Sequence, residues 1–171
     1  MRLRTRGRWG VQAGIMAGMA VAAAVFALDL ARSEPLATPL FLSQWALESL
    51  GPGQEGEIVQ TLSGLSLGGR LAFFTGLHLA VFALIGMLAA ALANLFHVRW
   101  TYRTGAAVGL GLGILLWSGA SRLGTSWLTG AGLSAEVVVG ASVIGGAVLG
   151  WHLRLCHLDA EEAPPTRRHA A

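Results

Sequence analysis

A chain of 171 residues has the length of one ordinary domain, yet only 12% of it is charged, against roughly 25% in soluble domains. The net charge is +3 and every one of the twelve basic residues is arginine; these flank long apolar runs, where they act as topology signals rather than as a nucleic-acid surface. The single cysteine, Cys156, excludes an internal disulfide and any CxxC motif.

No charged residue falls between Trp9 and Leu28, Leu71 and Val98, Thr104 and Ser121, or Val137 and Leu153. Each run approaches or exceeds the ~17–25 residues a helix needs to cross a bilayer core. Backbone groups in hydrocarbon must satisfy one another, and no short alternating strands suggest a barrel. The reading is an all-α membrane protein, a four-transmembrane-helix bundle with a short interfacial helix in the first outer loop. Residues 1–158 form one membrane domain with helices near 9–30, 71–97, 104–121 and 136–155 and an outer loop over 31–70. Residues 159–171, with Glu161-Glu162-Ala163-Pro164-Pro165, read as a disordered cytoplasmic tail.

Arg2, Arg4, Arg6 and Arg8 precede the first span as they would a signal peptide. The apolar run that follows exceeds the ~7–15 residues of a signal core and no A-x-A site ends it, so it reads as an uncleaved helix. Nine arginines fall on the N-terminus, the 99–103 connection and the tail; Arg32, Arg70 and Arg122 fall on the other side. Positive charge stays inside, which makes both termini cytoplasmic. Trp9, Trp100, Tyr102 and Trp151 sit at the inner interface and Trp127 at the outer one. An arginine-only basic set with abundant Ala and Gly is the usage of a GC-rich bacterial genome, so the membrane is the cell inner membrane.

In the outer loop, Thr38-Pro39 has the pattern of an N-cap followed by proline at the first helical position, and Gly51-Pro52-Gly53 is a stop. Leu42, Trp45, Ala46 and Leu50 share a face, so this helix lies either on the membrane surface or over the mouth of the bundle. Ile58, Leu62 and Leu65 repeat the helical spacing over 57–67.

Small residues four apart recur: Gly14 and Gly18; Gly105, Gly109 and Gly113; Ser142, Gly146 and Gly150. This spacing lets helix backbones approach closely in lipid, within the chain first, and otherwise with a membrane-protein partner or a second copy. His97-Val98-Arg99 and His152-Leu153-Arg154 close the two helical hairpins alike, as two parallel repeats would.

Ionisable residues inside a membrane are costly and so are functional candidates. His78 lies seven residues into the second run, ~10 Å below the surface at 1.5 Å per residue. Asp29 and Arg32 end the first helix on that side. A His78–Asp29 contact would fix an imidazole tautomer and form an intramembrane polar site with Arg32, the vestibule of a small transporter. Its plainer meaning is interhelical hydrogen bonding. On the inner side, His97 and His152 could supply two axial ligands to a haem b of an electron-transfer subunit. With Cys156 and His157 they barely reach the ligand count of zinc; interfacial histidines beside Arg or Trp more often bind nothing. No G-x-S-x-G, H-E-x-x-H or Walker loop occurs, so no catalytic residue is assigned and an enzyme is the less favoured class.

Leu28-Asp29-Leu30, Pro35 and Thr38-Pro39, together with Thr75-x-x-His78-x-x-x-Phe82-x-x-x-Gly86, resemble the first two helices of a group of uncharacterised bacterial multi-pass membrane proteins. The resemblance covers roughly the N-terminal hundred residues and implies that Asp29 and His78 belong together. It brings no activity with it. The expected role is therefore a non-enzymatic structural or accessory subunit of a membrane assembly, without a cofactor unless the two histidines hold haem.

Overall fold

The computed structural model describes residues 2–49, 64, 66–96, 100–122 and 133–162. They form helices and connections and no strand: α1 (Arg2–Ala31), α2 (Ala37–Ser49), α3 (Leu67–Phe96), α4 (Tyr102–Arg122) and α5 (Ala135–Glu162). Three segments are long and apolar enough to cross a membrane, Arg8–Ala31, Leu67–Leu95 and Ala135–Cys156. Of the four helices containing the uncharged runs, α4 is the shortest at 21 residues, with Arg103 and Arg122 at its ends.

The helices outrun their uncharged stretches. Helix α3 starts at Leu67, which sets His78 a turn deeper than a start at 71 implies. Helix α5 continues through Asp159 to Glu162. Residues 159–162, expected in a disordered tail, are thus helical, as Ala160, Glu161 and Glu162 favour. The predicted stop at 51–53, Trp127 and His97 lie outside the described residues, as do 163–171.

Glycines set the packing. Gly10 lies against Gly86, Met87 and Ala90, and Gly18 against Phe82 and Leu79, so α1 and α3 run antiparallel with almost no side-chain thickness between them. Gly105 lies against Gly146 and Gly150, and Gly113 against Val139 and Ser142, which makes α4 and α5 a second antiparallel pair. The two hairpins join through α1 and α5, where Gly145 faces Val21 and Ala17. Ala13 and Ala17, 0% and 1% exposed, form the core there with Ala89 and Leu149, and Phe82, Ile85, Trp100 and Leu153 pack around them. The order across the layer is α3, α1, α5, α4; α3 and α4 share no extended seam among the described residues. The start of α1, the end of α3, the start of α4 and the end of α5 therefore all lie at one end of the molecule, here the terminal end.

Helix α2 crosses the opposite end. It packs against α3 and α1, and its Phe41 and Leu42 rest on a cluster of Trp117, Ala120, Leu133, Val137 and Val138 from the α4–α5 hairpin. It ties the two hairpins together over the mouth, one of the two placements its apolar face allows.

Candidate functional site

Asp29 and Arg32, two of the polar residues singled out by the sequence, lie at the α2 end, where the chain reverses after α1. Ser33 N–H donates to Leu30 O at 3.0 Å and Glu34 N–H to Asp29 O at 3.0 Å. This is the paired closure of a Schellman motif, with Ser33 in the left-handed position usually given to glycine (φ 59°). Leu36, also left-handed at φ 72°, then turns the chain into α2. Its carbonyl accepts from Leu40 N–H at 3.1 Å, the first bond of that helix.

A helix start leaves its first N–H groups without partners. In α2, Ala37 N–H donates to Glu34 O at 3.1 Å, Thr38 N–H donates to Asp29 Oδ2 at 3.0 Å, and Pro39 has no N–H. The Thr38 hydroxyl donates to Asp29 Oδ1 at 2.7 Å. Asp29 is 2% exposed and both of its oxygens are engaged. The expected cap is thus shifted: α2 begins at Ala37, and its capping carboxylate comes from α1. An acid in the last turn of α1 opposes that helix's dipole, but the same carboxylate faces the positive end of α2.

His78 has another partner. Its Nε2 lies 3.1 Å from Gly18 O; a carbonyl only accepts, so Nε2–H is the donor. The ring sits between Phe74, with centroids 6.2 Å apart, and Phe82, at 4.7 Å. Gly18 and Asp29 are eleven residues apart on α1, about 16 Å along its axis at 1.5 Å per residue. The structure does not bring Asp29 and His78 together: each closes a separate structural hydrogen bond. Arg32 is exposed just past α1, and its backbone N–H bonds to Leu28 O and Asp29 O.

No family model, curated protein or solved structure matches the chain.

At the terminal end, His152 and Cys156 are half-buried one turn apart on α5. No group of three metal-ligating side chains occurs among the described residues. A feature the sequence reading missed opens α4. Thr101 N–H donates to Thr104 Oγ1 at 2.7 Å, and Thr104 N–H donates to Thr101 Oγ1 at 3.2 Å. This is a reciprocal capping box with threonine in place of the usual Glu or Gln, which is why the S/T-x-x-E/Q pattern passes over it. Beside it, Trp100 Nε1 is buried without a hydrogen-bond partner among the described residues.

Proposed function

We propose that this chain is an integral protein of the cell inner membrane, crossing it four times with both termini cytoplasmic, and that it serves as a non-enzymatic structural or accessory subunit. One observation carries the reading: the helices close on one another through glycine and alanine while their large apolar side chains point outward. Leu88, Leu95 and Leu115 are 63%, 67% and 69% exposed, a distribution that water would reverse and lipid accommodates. A closed helix supplies its own backbone hydrogen bonds, so α4 also suits the bilayer, its 21 residues spanning about 31 Å. The location of both ends of the helix layer at one face agrees with four crossings, and the arginine count assigns that face to the cytoplasm. The candidate polar side chains with known partners, Asp29 and His78, are used for capping and helix pairing. A transport vestibule that needs the two together draws no support from their positions.

Single cysteines at positions 5, 53 and 170, in a Cys156→Ser background, test the topology. An impermeant maleimide applied to intact cells is expected to label only position 53. Labelling at 5 or 170 before permeabilisation overturns the topology. For the accessory role, mass measurement after release in a mild detergent is expected to show a defined complex. A lone monomer, or a Soret band in its visible spectrum, overturns that role.

A further inference from the structure

We infer that Trp100, in the connection between the two hairpins, is a releasable latch that lets the molecule open at its terminal end while the α2 end stays closed. The inference goes beyond the accessory role and holds whichever side of the membrane that end faces.

The two ends are closed differently. At the α2 end the buried polar groups of the closure are paired. Both oxygens of Asp29 meet Thr38, and the buried Ser43 hydroxyl donates to Leu40 O at 2.7 Å. At the terminal end, the indole of Trp100 packs on the cluster of Ala13, Ala17, Ala89 and Leu149, drawn from α1, α3 and α5. Its Nε1–H is buried there and meets no acceptor among the described residues. A tryptophan at a membrane boundary ordinarily turns this N–H toward water or headgroups. Docking the ring thus gains packing but forfeits a hydrogen bond that the undocked ring recovers. An unmet buried donor weighs about tenfold against the docked state.

Release leaves the helix behind it intact. Thr101 and Thr104 cap α4 reciprocally, and Gly105 N–H donates to Thr101 O at 2.9 Å. The start of α4 therefore keeps its hydrogen bonds within itself, and Trp100 swings out about its own backbone without unwinding that helix.

Thiol labelling of the detergent-purified chain, in a Cys156→Ser background, reads each end separately. Ala89→Cys, in the cluster under Trp100, and Ser43→Cys, on the buried face of α2, place thiols at sites 8% and 5% exposed. Each rate with N-ethylmaleimide is divided by that of the same variant unfolded. The thiol at 89 is expected to be the less protected of the two. Replacing Trp100 with 3-benzothienylalanine keeps the shape and removes the N–H; it is expected to slow labelling at 89 about tenfold and leave 43 unchanged. Leu149→Cys, in the same cluster, gives the same reading where Ala89→Cys fails to fold. Equal protection at the two ends, or no slowing at the cluster with the analogue, overturns the latch. Equal slowing at both ends also overturns it, because the unmet N–H then weakens the whole fold rather than one end.

Discussion

The carboxylate of Asp29, in the last turn of α1, accepts two hydrogen bonds from Thr38 in the first turn of α2, from the backbone N–H at 3.0 Å and from the hydroxyl at 2.7 Å. A residue nine positions away thereby provides the cap that Leu36, in the capping position, has no side chain to supply. The consequence is mechanical. The α2 strap over both hairpins is fixed to the end of α1 at its first turn.

Removing this cap tests its weight. Asp29→Ala leaves the Thr38 N–H and hydroxyl without their acceptor and is expected to cost about 2 kcal/mol, the upper range for a lost cap with buried groups left unpaired. Thr38→Val removes only the hydroxyl bond, at about 1 kcal/mol. Thermal unfolding in detergent across the D29A, T38V and double-variant cycle should show coupling between the two sites. Additive effects would mean the pair does not act as a unit.

The glycines divide into two classes that one substitution separates. A methyl at Gly86 would run into Gly10 O, and one at Gly146 into Gly105 O, both backbone atoms that cannot swing aside. Gly86→Ala and Gly146→Ala should each force a hairpin apart and cost about 1–3 kcal/mol. Gly76 and Gly111 face open space, so their alanine variants should stay within about 0.5 kcal/mol of wild type. Denaturation in mixed micelles gives the comparison, and equal effects in the two classes would contradict the packing described.

Ser33 holds a left-handed backbone conformation that disfavours any Cβ. Ser33→Gly is therefore expected to stabilise the fold, by about 0.5–1 kcal/mol once the greater freedom of glycine in the unfolded chain is counted. Ser33→Val should destabilise it. The same melting experiment reads both signs.

His78→Phe keeps a ring between Phe74 and Phe82 but loses the donor to Gly18 O. Its cost should be near the ~0.6 kcal/mol typical of interhelical hydrogen bonds in membranes. His78→Ala also empties the space between the rings and should cost more, about 2–3 kcal/mol by comparison with large-to-small substitutions in cores. A milder effect for Ala than for Phe would show that ring packing is not the larger contribution.

Much of the close packing was readable from spacing. Gly105, Gly109 and Gly113 on α4 meet Val139, Ser142, Gly146 and Gly150 on α5 as small-xxx-small patterns imply. Gly10 and Gly86 were passed over as members of the set, although Gly14 and Ala90 stand four residues from them. Thr101–Thr104 was missed because its second member is not the usual Glu or Gln.

The reading of Asp29 with His78 rested on similar depth below one surface, and depth is a single coordinate. Partnership also depends on register and on which way each helix face turns. The Gly18 contact sets His78 eleven residues of α1 away from Asp29, and a tight turn through Ser33 and Leu36 delivers Thr38 to the carboxylate instead.

What the sequence determined by itself is where the apolar helices lie and which end collects arginine. Those properties are local: a bilayer sorts each segment by its own composition, whatever its neighbours are. Tertiary structure alone decided which hydrogen bond each polar side chain makes and where α2 rests. Both depend on distances between segments far apart in the chain, fixed only when glycine-lined helices lock into one register.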